Sequence, residues 1–302
     1  MHQTSKFALR PLLGTAMWGW TTSESVCFDL LDHFYEQGLR EVDTATNYPI
    51  DKDPEHFRLA ERILQRWIAA HGVTDLQVMV KVGSVNNLMT PDHELSESFL
   101  RMNLDRYQKN FGPNLNCLML HWDNRSDRAE IEGSYRALLA AREAGLQIGL
   151  SGLKHPEIHV GVCEELGLNP RIQLKHNLLQ SAISHYRPFH RRADFIAYGI
   201  NGGGIKLDGH YSENSSLAAR GRADEADLLK QRLLKLREQA NRNPDRPPLQ
   251  SFNHFGLLNV AREPLIESVL LGVSKVAQLQ DSLDFLAAVA AFSYDDVLVR
   301  EV

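Results

Sequence analysis

Short runs of β-forming residues alternate with helix-like segments along almost the whole chain, and this alternation limits the fold more than any other feature. Apolar residues between Cys27 and Tyr35, for example, recur at the three- and four-residue spacing of one helical face. Strands separated by helices pair in parallel, because the chain must cross back before the next strand begins. Eight such units predict an α/β fold, the (β/α)8 or TIM barrel. The predicted strands are a run ending near Asp43 and residues 12–16, 76–82, 117–121, 148–151, 171–174, 194–198 and 269–273.

An open, doubly wound parallel sheet is the alternative for such an alternation. That fold predicts a glycine-rich G-x-G-x-x-G turn directly after the first strand. Residues 14–20 read GTAMWGW instead and lack that motif. The sequence therefore favours the barrel.

The segment between Tyr198 and Val269 is too long for one crossover. Residues 226–240 predict a charged helix, and the three prolines of 241–248 indicate a linker. No second apolar core is evident in this part of the chain. We therefore expect residues 1–302 to form a single domain, with residues 204–263 as a helical insertion between strands 7 and 8.

Bulk composition excludes several classes of protein. The net charge of −5 over 302 residues argues against a nucleic-acid partner, and no apolar run approaches the ~20 residues of a membrane span. Three cysteines do not suggest a disulfide framework, so a cytoplasmic protein is expected. His155 and His159 have the i, i+4 spacing of a helical metal pair, but no third ligand is evident, and no metal is predicted.

Polar residues stand at the ends of three predicted strands, where a buried strand should be apolar. Asp43 ends the second, Lys81 lies near the end of the third, and His121 ends the fourth; Tyr48 follows shortly after Asp43. Each alone has an ordinary explanation, as a turn former, a solvated residue, a core histidine or a packing aromatic. Barrel enzymes take their catalytic residues from the carboxyl ends of several strands, so the coincidence of the four predicts a catalytic site.

These four side chains could together transfer a proton to a reduced carbonyl. A phenol has a pKa near ~10, and an ammonium roughly 4 Å away contributes about 4 kcal/mol at an effective dielectric constant of ~20. Lys81 is thus expected to lower the pKa of Tyr48, with Asp43 holding Lys81 charged and oriented. His121 would donate a hydrogen bond to the carbonyl oxygen, and Tyr48 would protonate the developing alkoxide.

With these residues in place, the chain resembles the aldo-keto reductase family. Residues 38–48 (GLREVDTATNY), 80–82 (VKV) and 118–122 (LMLHW) are similar to the family segments that carry its Asp, Tyr, Lys and His, in the same order. The resemblance covers roughly residues 8–290 and is weakest in the insertion. It implies an NAD(P)H-dependent oxidoreductase that reduces an aldehyde or ketone to an alcohol.

The resemblance also implies a set of cofactor contacts in the second half of the chain. Ser151 and Gln173 would hold the nicotinamide carboxamide, and Tyr198 would stack on its ring. Gly152 replaces the family's Asn beside Ser151, and Gln278 stands where many relatives carry an Arg. The full set of expected cofactor contacts is Gly14, Thr15, Asp43, Ser151, Gln173, Tyr198, Gly199, Gly202, Gly203, Gly272, Ser274, Lys275, Gln278, Asp281 and Ser282.

Cofactor choice and substrate are less tightly specified. Ser274 and Lys275 suit a phosphate, so NADP is favoured over NAD, although NAD or dual use stays open. Loop residues Trp18, Trp20 and Trp122, with Tyr48 and His121, are expected to form a substrate pocket for a small carbonyl compound such as a sugar or a polar aromatic aldehyde. For the tryptophans, packing at the rim is an equal alternative. The physiological substrate and the oligomeric state are open.

Two other functions stay open at this point. The altered cofactor segments, at Gly152 and Gln278 among others, favour a cofactor-binding regulatory or auxiliary subunit with little turnover. A lysine at the end of a barrel strand also suits a cofactor-free lyase or aldolase that uses Lys81 as a Schiff-base amine.

Overall fold

Eight parallel strands form a closed barrel in the computed structural model, with β8 paired back to β1. The model describes residues 6–208 and 223–298, and of residues 223–226 the backbone alone. This confirms the predicted (β/α)8 barrel. The strands are β1 Arg10–Gly14, β2 Glu41–Ala45, β3 Gln77–Val82, β4 Leu115–His121, β5 Gln147–Ser151, β6 Arg171–Lys175, β7 Asp194–Tyr198 and β8 Ile266–Leu271.

Helices surround the barrel, and most crossovers contain one. They are α1 Glu24–Glu36, α2 Leu59–His71, α3 Glu97–Phe111, α4 Arg128–Glu143, α5 Pro156–Leu166, α6 Ala223–Ala240, α7 Phe252–Ala261 and α8 Val276–Ala291. The crossover from β6 to β7 departs from the pattern and carries a short 3-10 turn, Arg187–Phe189, in place of an α-helix.

The crossover from β7 to β8 contains two helices, which confirms the predicted helical insertion. Helix α6 is the charged helix expected from the sequence, and it buries Leu229 and Leu233 against the rest of the molecule. Helix α7 was not predicted, because its residues are almost all buried and therefore lack an amphipathic period. Residues 209–222 of the predicted insertion lie outside the described residues.

Local sequence signals account for the helix ends near the site. Helix α4 begins after Asp127, whose carboxylate accepts a hydrogen bond of 3.0 Å from the backbone N–H of Glu130. The chain after this helix turns at Gly145, which has φ +85°, and leads directly into β5. These signals fix where β4 ends and β5 begins, and so place their carboxyl ends side by side.

The strand pleat separates two cores. Outward-facing strand residues pack against the helices in the larger core, while a small cluster fills the barrel interior. Asp43, Lys81 and His121 each lie two residues along the strand, or one paired position away, from members of the interior cluster, and they therefore face inward at its upper edge. The interior cluster consists of Leu12, Met79, Cys117, Met119, Ile196 and Leu270.

All three cysteines, Cys27, Cys117 and Cys163, are buried free thiols, as their apolar sequence neighbours indicate. Across the described ranges 6–208 and 223–298, no helix has both the length and the apolar character needed to cross a membrane.

Candidate active site

A buried ion pair stands at the upper end of the barrel interior. Lys81 on β3 donates a hydrogen bond from Nζ to the Oδ2 atom of Asp43 on β2, and both side chains are almost fully enclosed. The second carboxylate oxygen of Asp43 accepts a hydrogen bond of 2.5 Å from the Gln173 amide on β6. The lysine, the carboxylate and the amide thus form one rigid network across the barrel.

Tyr48 and His121 face each other above this ion pair. Their ring centroids are 6.4 Å apart, and the ring planes are nearly perpendicular at 89°. The Lys81 ammonium lies 4.9 Å from the centroid of the Tyr48 ring. The three strand-end residues and Tyr48, predicted from separate parts of the sequence, are therefore brought together around one point.

Burial sets the protonation state of Tyr48. Withdrawal from solvent, reinforced by the negative charge of Asp43, raises the pKa of Tyr48 well above its usual value of 10.0. This is opposite in direction to the lowering expected from Lys81. The reason is that the Lys81 charge is compensated by Asp43, so desolvation of the phenolate prevails. Tyr48 holds its proton at neutral pH.

The two basic groups of the site are also shifted by their surroundings. Burial, together with the nearby charge of Lys81, lowers the pKa of His121 well below 6.5, so its imidazole is neutral at neutral pH. Burial likewise lowers the pKa of Lys81, while the Asp43 carboxylate opposes this shift. The buried Nδ1 atom of His121 has no hydrogen-bond partner among the described residues.

A glycine allows strands β3 and β4 to approach at this level. Gly83 follows β3 directly and has φ +148°, and a Cβ atom there would overlap the backbone carbonyl of His121. Any larger residue would push His121 away from Lys81. The glycine is therefore part of what positions the site.

An open cavity of about 370 Å³ lies over these residues. Trp122 lines it, as expected for the substrate pocket, but Trp18 and Trp20 do not. Trp18 is fully buried in the larger core, and Trp20 is an exposed residue at the surface. Predicted site residues on the cavity wall are Gly14, Thr15, Asp43, Tyr48, Lys81, His121, Trp122, Ser151, Gln173, Tyr198, Gly199, Gly202, Gly203 and Gly272.

A second cavity of about 410 Å³ adjoins the first, and the two share Gly272 and Val273. Its wall includes the remaining predicted cofactor contacts except Lys275, which is exposed just before α8. Gln278 accepts a hydrogen bond of 3.0 Å from the backbone N–H of Ser274. Together the cavities form an elongated groove from the barrel centre to the start of α8. The predicted residues on the second wall are Gly272, Ser274, Gln278, Asp281 and Ser282.

Comparison with known proteins identifies the family of this chain. The family model described as "Aldo/keto reductase family" matches residues 12–297, nearly the whole chain. The chain belongs to the aldo/keto reductase family. In this member the barrel brings Asp43, Tyr48, Lys81 and His121 together at one end of an elongated groove.

Individual relatives are only partly similar. The chain is 32% identical over 122 residues to Protein tas of Escherichia coli (strain K12), a match that covers 37% of this chain and 34% of that protein. The Protein tas of Shigella flexneri gives the same values. An uncharacterized 11.2 kDa protein in the crtE 3′ region of Pseudescherichia vulneris is 39% identical over 84 residues, which cover 27% of this chain and 82% of that protein. The chain thus spans about a third of the length of Protein tas.

The groove of this aldo/keto reductase fits a dinucleotide. Gly199, Gly202 and Gly203 have φ values of +69°, +58° and +97°, and they form a turn whose backbone lines the first cavity. A Cβ atom built on Gly272 would meet nothing within 4 Å, so the backbone at the junction of the two cavities is open to a ligand. The buried Asn201 Oδ1 atom, on the wall of the second cavity, has no hydrogen-bond partner among the described residues.

The structure gives a physical reason for Gly152, which replaces the Asn of the family pattern. Gly152 has φ +73°, and a Cβ atom there would lie 2.6 Å from Cδ1 of the Trp122 indole. Trp122 itself has φ +60° and donates its backbone N–H to the Ser151 carbonyl at 2.8 Å. Trp122 and Gly152 therefore form a matched pair, and the indole fills the space of the missing side chain.

Several groove residues were not predicted. Apart from Lys175, the last residue of β6, they come from loops and from α7, whose polar residues carry no strand-end signal. Asn253 donates a hydrogen bond of 2.9 Å to Ser282, and His254 lies 3.1 Å from Asp281, so two of the three expected contacts on α8 are held from α7. Lys175 could have been predicted, because it lies two residues after Gln173 on β6 and its side chain therefore points to the same side of the strand. Unpredicted wall residues include Lys175, Gln180, Asn201, Lys206, Gln250, Ser251 and Asn253.

The histidine pair considered for a metal has a different setting. His159 is fully buried, with its Nδ1 atom 3.2 Å from the Tyr135 hydroxyl and its Nε2 atom 3.6 Å from Asp123. His155 precedes α5 and contacts Glu157 at 3.2 Å. Within the part of the chain that the structure describes, no group of three or more metal-ligating side chains is found.

Proposed function

We propose that this protein is an NAD(P)H-dependent reductase of aldehydes or ketones, built as one domain over residues 1–302. Membership of the aldo/keto reductase family supports oxidoreductase chemistry on carbonyl compounds. The observation that carries the proposal is the position of Tyr48, which faces His121 across an open cavity and stands over the Lys81–Asp43 ion pair.

Tyr48 is the general acid in this proposal. A bound reduced nicotinamide would supply the hydride. The raised pKa of Tyr48 keeps the phenol protonated, so that it can donate its proton to the carbonyl oxygen as negative charge develops there. The neutral imidazole of His121 donates a hydrogen bond to the same oxygen and fixes its position.

Lys81, Asp43 and Gln173 position the general acid. The Asp43 carboxylate is held by both the Lys81 ammonium and the Gln173 amide, so the ammonium under the Tyr48 ring cannot move without breaking a buried pair. This fixed charge is already present before reaction and need not reorganise. The same bond to Asp43 leaves Lys81 poorly suited to the Schiff-base role.

We propose NADP as the preferred cofactor, with NAD as a weaker alternative. The nicotinamide would lie in the first cavity against Tyr198, Ser151 and Gln173, and the adenosine end would lie in the second. Ser274 and Lys275, at the start of α8, would bind a 2′-phosphate through hydroxyl, ammonium and helix N-terminal N–H groups.

The substrate is proposed to be a polar aromatic carbonyl compound rather than a sugar. Met17, Ile50, Met89 and Trp122 contribute apolar side chains to the wall of the cavity that contains Tyr48. Such a wall buries a ring or alkyl chain but offers a sugar few hydrogen bonds.

Cofactor titration combined with a carbonyl panel tests the proposal. Binding of NADPH and NADH is measured by fluorescence, and oxidation of the bound cofactor is followed at the nicotinamide absorbance with aromatic and aliphatic aldehydes. We expect NADPH to bind more tightly, and Lys275→Met to remove most of that preference. Tight binding without turnover of any carbonyl would instead support the auxiliary-subunit function, and binding of neither nucleotide would contradict the proposal.

A further inference from the structure

A groove outside the proposed catalytic centre opens beside the first cavity, at the ends of β4 and β5. The two spaces share two wall residues, Met89 and Trp122. The groove therefore adjoins the cavity that contains Tyr48 and His121, with Met89 and Trp122 on the border between them. Its wall consists of Met89, Thr90, Pro91, Trp122, Asn124, Gly152, Leu153, Lys154 and His185.

Both shared residues are held in a costly backbone conformation. Met89 has φ +62° and Trp122 has φ +60°, and only Lys52 and Arg58 join them as non-glycine residues with positive φ among those described. Large side chains rarely adopt this conformation without a local reason. Neither Met89 nor Trp122 ends a helix, which is the usual reason for a positive φ. Their positions on the border between cavity and groove therefore indicate that this border is shaped for a ligand.

Gly152, on the groove wall, lies against Trp122 at this border. Because Gly152 lacks a Cβ atom, the Trp122 indole can approach the loop after β5 closely; a Cβ there would lie 2.6 Å from the indole Cδ1. The indole and the Met89 side chain form the apolar border between cavity and groove.

The residues that line the groove but not the catalytic cavity are more polar than the border. Lys154 is the only residue with a permanent charge among the described residues of the groove wall, and Asn124 and Thr90 add hydrogen-bonding groups. The backbone here is fixed, since the Lys154 N–H donates to the Asp123 carbonyl at 2.9 Å and His185 bonds the Leu153 carbonyl at 2.8 Å. A positive charge on a fixed loop, in the same groove as an amide side chain, suits a carboxylate.

We propose that this groove is the distal subsite of the substrate, and that the substrate carries a carboxylate at the end remote from its carbonyl. The carbonyl lies at Tyr48 and His121, the apolar body passes between Met89 and Trp122, and the carboxylate binds Lys154 and Asn124. The inference rests on the proposed carbonyl reductase function and specifies its substrate class as an aromatic or alkyl oxo-acid.

A matched pair of substrates tests the subsite. 4-Carboxybenzaldehyde and the methyl ester of the same acid differ only in the distal charge, and each is assayed with saturating NADPH. The expected result is a preference of about fivefold in kcat/KM for the acid, the upper range of an exposed ion pair, and this preference decreases with added salt. Lys154→Met should raise KM for the acid alone, leave kcat unchanged and leave the ester unaffected.

Lys109→Met is the control variant, because Lys109 is an exposed lysine in the last turn of α3 and lines neither space. It should retain the full preference, and both variants should keep the wild-type Tm. Binding of the acid to the Tyr48→Phe protein with NADP, measured by calorimetry, gives a readout that does not depend on turnover and should weaken in the Lys154→Met background.

The outcomes separate the two claims. Reduction of acid and ester with equal kcat/KM, or a preference that survives Lys154→Met, overturns the distal subsite and leaves the reductase function standing. Absence of turnover with every carbonyl defeats the proposed function itself, and the subsite falls with it.

Discussion

The Lys81 ammonium is bonded to the Asp43 carboxylate and at the same time lies 4.9 Å from the centroid of the Tyr48 ring. The lysine therefore contacts the tyrosine through the face of the ring, as a cation–π pair, while its hydrogen bond goes to the carboxylate. Lys81 thus makes two separate interactions. The Asp43 carboxylate compensates its charge, and its ammonium contacts the face of the Tyr48 ring.

Removing one member of this pair should be costly. Lys81→Met leaves the Asp43 carboxylate buried without its cation, and we expect the free energy of unfolding to fall by about 3–5 kcal/mol, measured by urea denaturation. The double variant Asp43→Asn with Lys81→Met removes both charges and should recover much of this loss while staying inactive. Equal instability of the single and double variants would show that the buried charge is not the cause.

The pH dependence of the rate reports on Tyr48. Because its pKa is raised above 10.0, the protonated form needed for reduction is fully present below that pH. We expect kcat for carbonyl reduction to stay level from pH 7 to pH 9. Alcohol oxidation requires the phenolate and should rise about tenfold per pH unit over the same range. A decline in reduction between pH 7 and pH 8 would contradict the assigned pKa direction.

Gly152 should tolerate no side chain. Gly152→Ala places a Cβ atom 2.6 Å from Trp122 in a backbone with φ +73°, whereas Gly38→Ala meets nothing within 4 Å at φ +78°. The Gly38 variant should lose only the conformational term of about 1–2 kcal/mol in unfolding free energy. The Gly152 variant should lose roughly 1–3 kcal/mol more, with a changed tryptophan fluorescence spectrum. Similar losses of unfolding free energy in both variants would mean that the Trp122 side chain can move aside at little cost.

The buried His159 predicts a loss of stability in acid. Burial lowers its pKa from 6.5 to about 4, so between these values the unfolded chain binds a proton that the folded protein does not. Stability from this group is complete above pH 6.5 and declines as the pH falls, by about 2 kcal/mol at pH 5. Comparing urea unfolding of the wild type and His159→Gln at pH 7 and pH 5 should show a smaller decline in the variant. Parallel declines would assign the acid sensitivity to other groups.

The barrel was predictable because its strands are short apolar runs with clear breaks between them. Strand β7 was located at its observed bounds, and the inward parity of Lys81 and His121 follows from the two-residue period. Helix α7 was missed because a helix buried on every side has no polar face to reveal its period. The absence of an α-helix between β6 and β7 could not be predicted either, because no sequence pattern marks it.

The proximity of the four candidate residues could be predicted from the sequence, but their energetics could not. Strand-end positions pointed to Asp43, Lys81 and His121, and Tyr48 follows Asp43 closely. The direction of the Tyr48 pKa shift, however, depends on burial and on where the Lys81 hydrogen bond goes, which no spacing encodes. Trp18 and Trp20 share a loop and a residue type, but their placement in the core and on the surface is a tertiary property.

Turnover by Tyr48→Phe tests the central claim most directly. The variant keeps the ring over the Lys81 ammonium and removes only the hydroxyl group, which carries the proton to be donated. The account predicts a fall in kcat for NADPH-dependent aldehyde reduction of at least about 10²-fold, with unchanged Tm and unchanged cofactor affinity. Full turnover by the Tyr48→Phe protein would contradict the assignment of Tyr48 as the general acid.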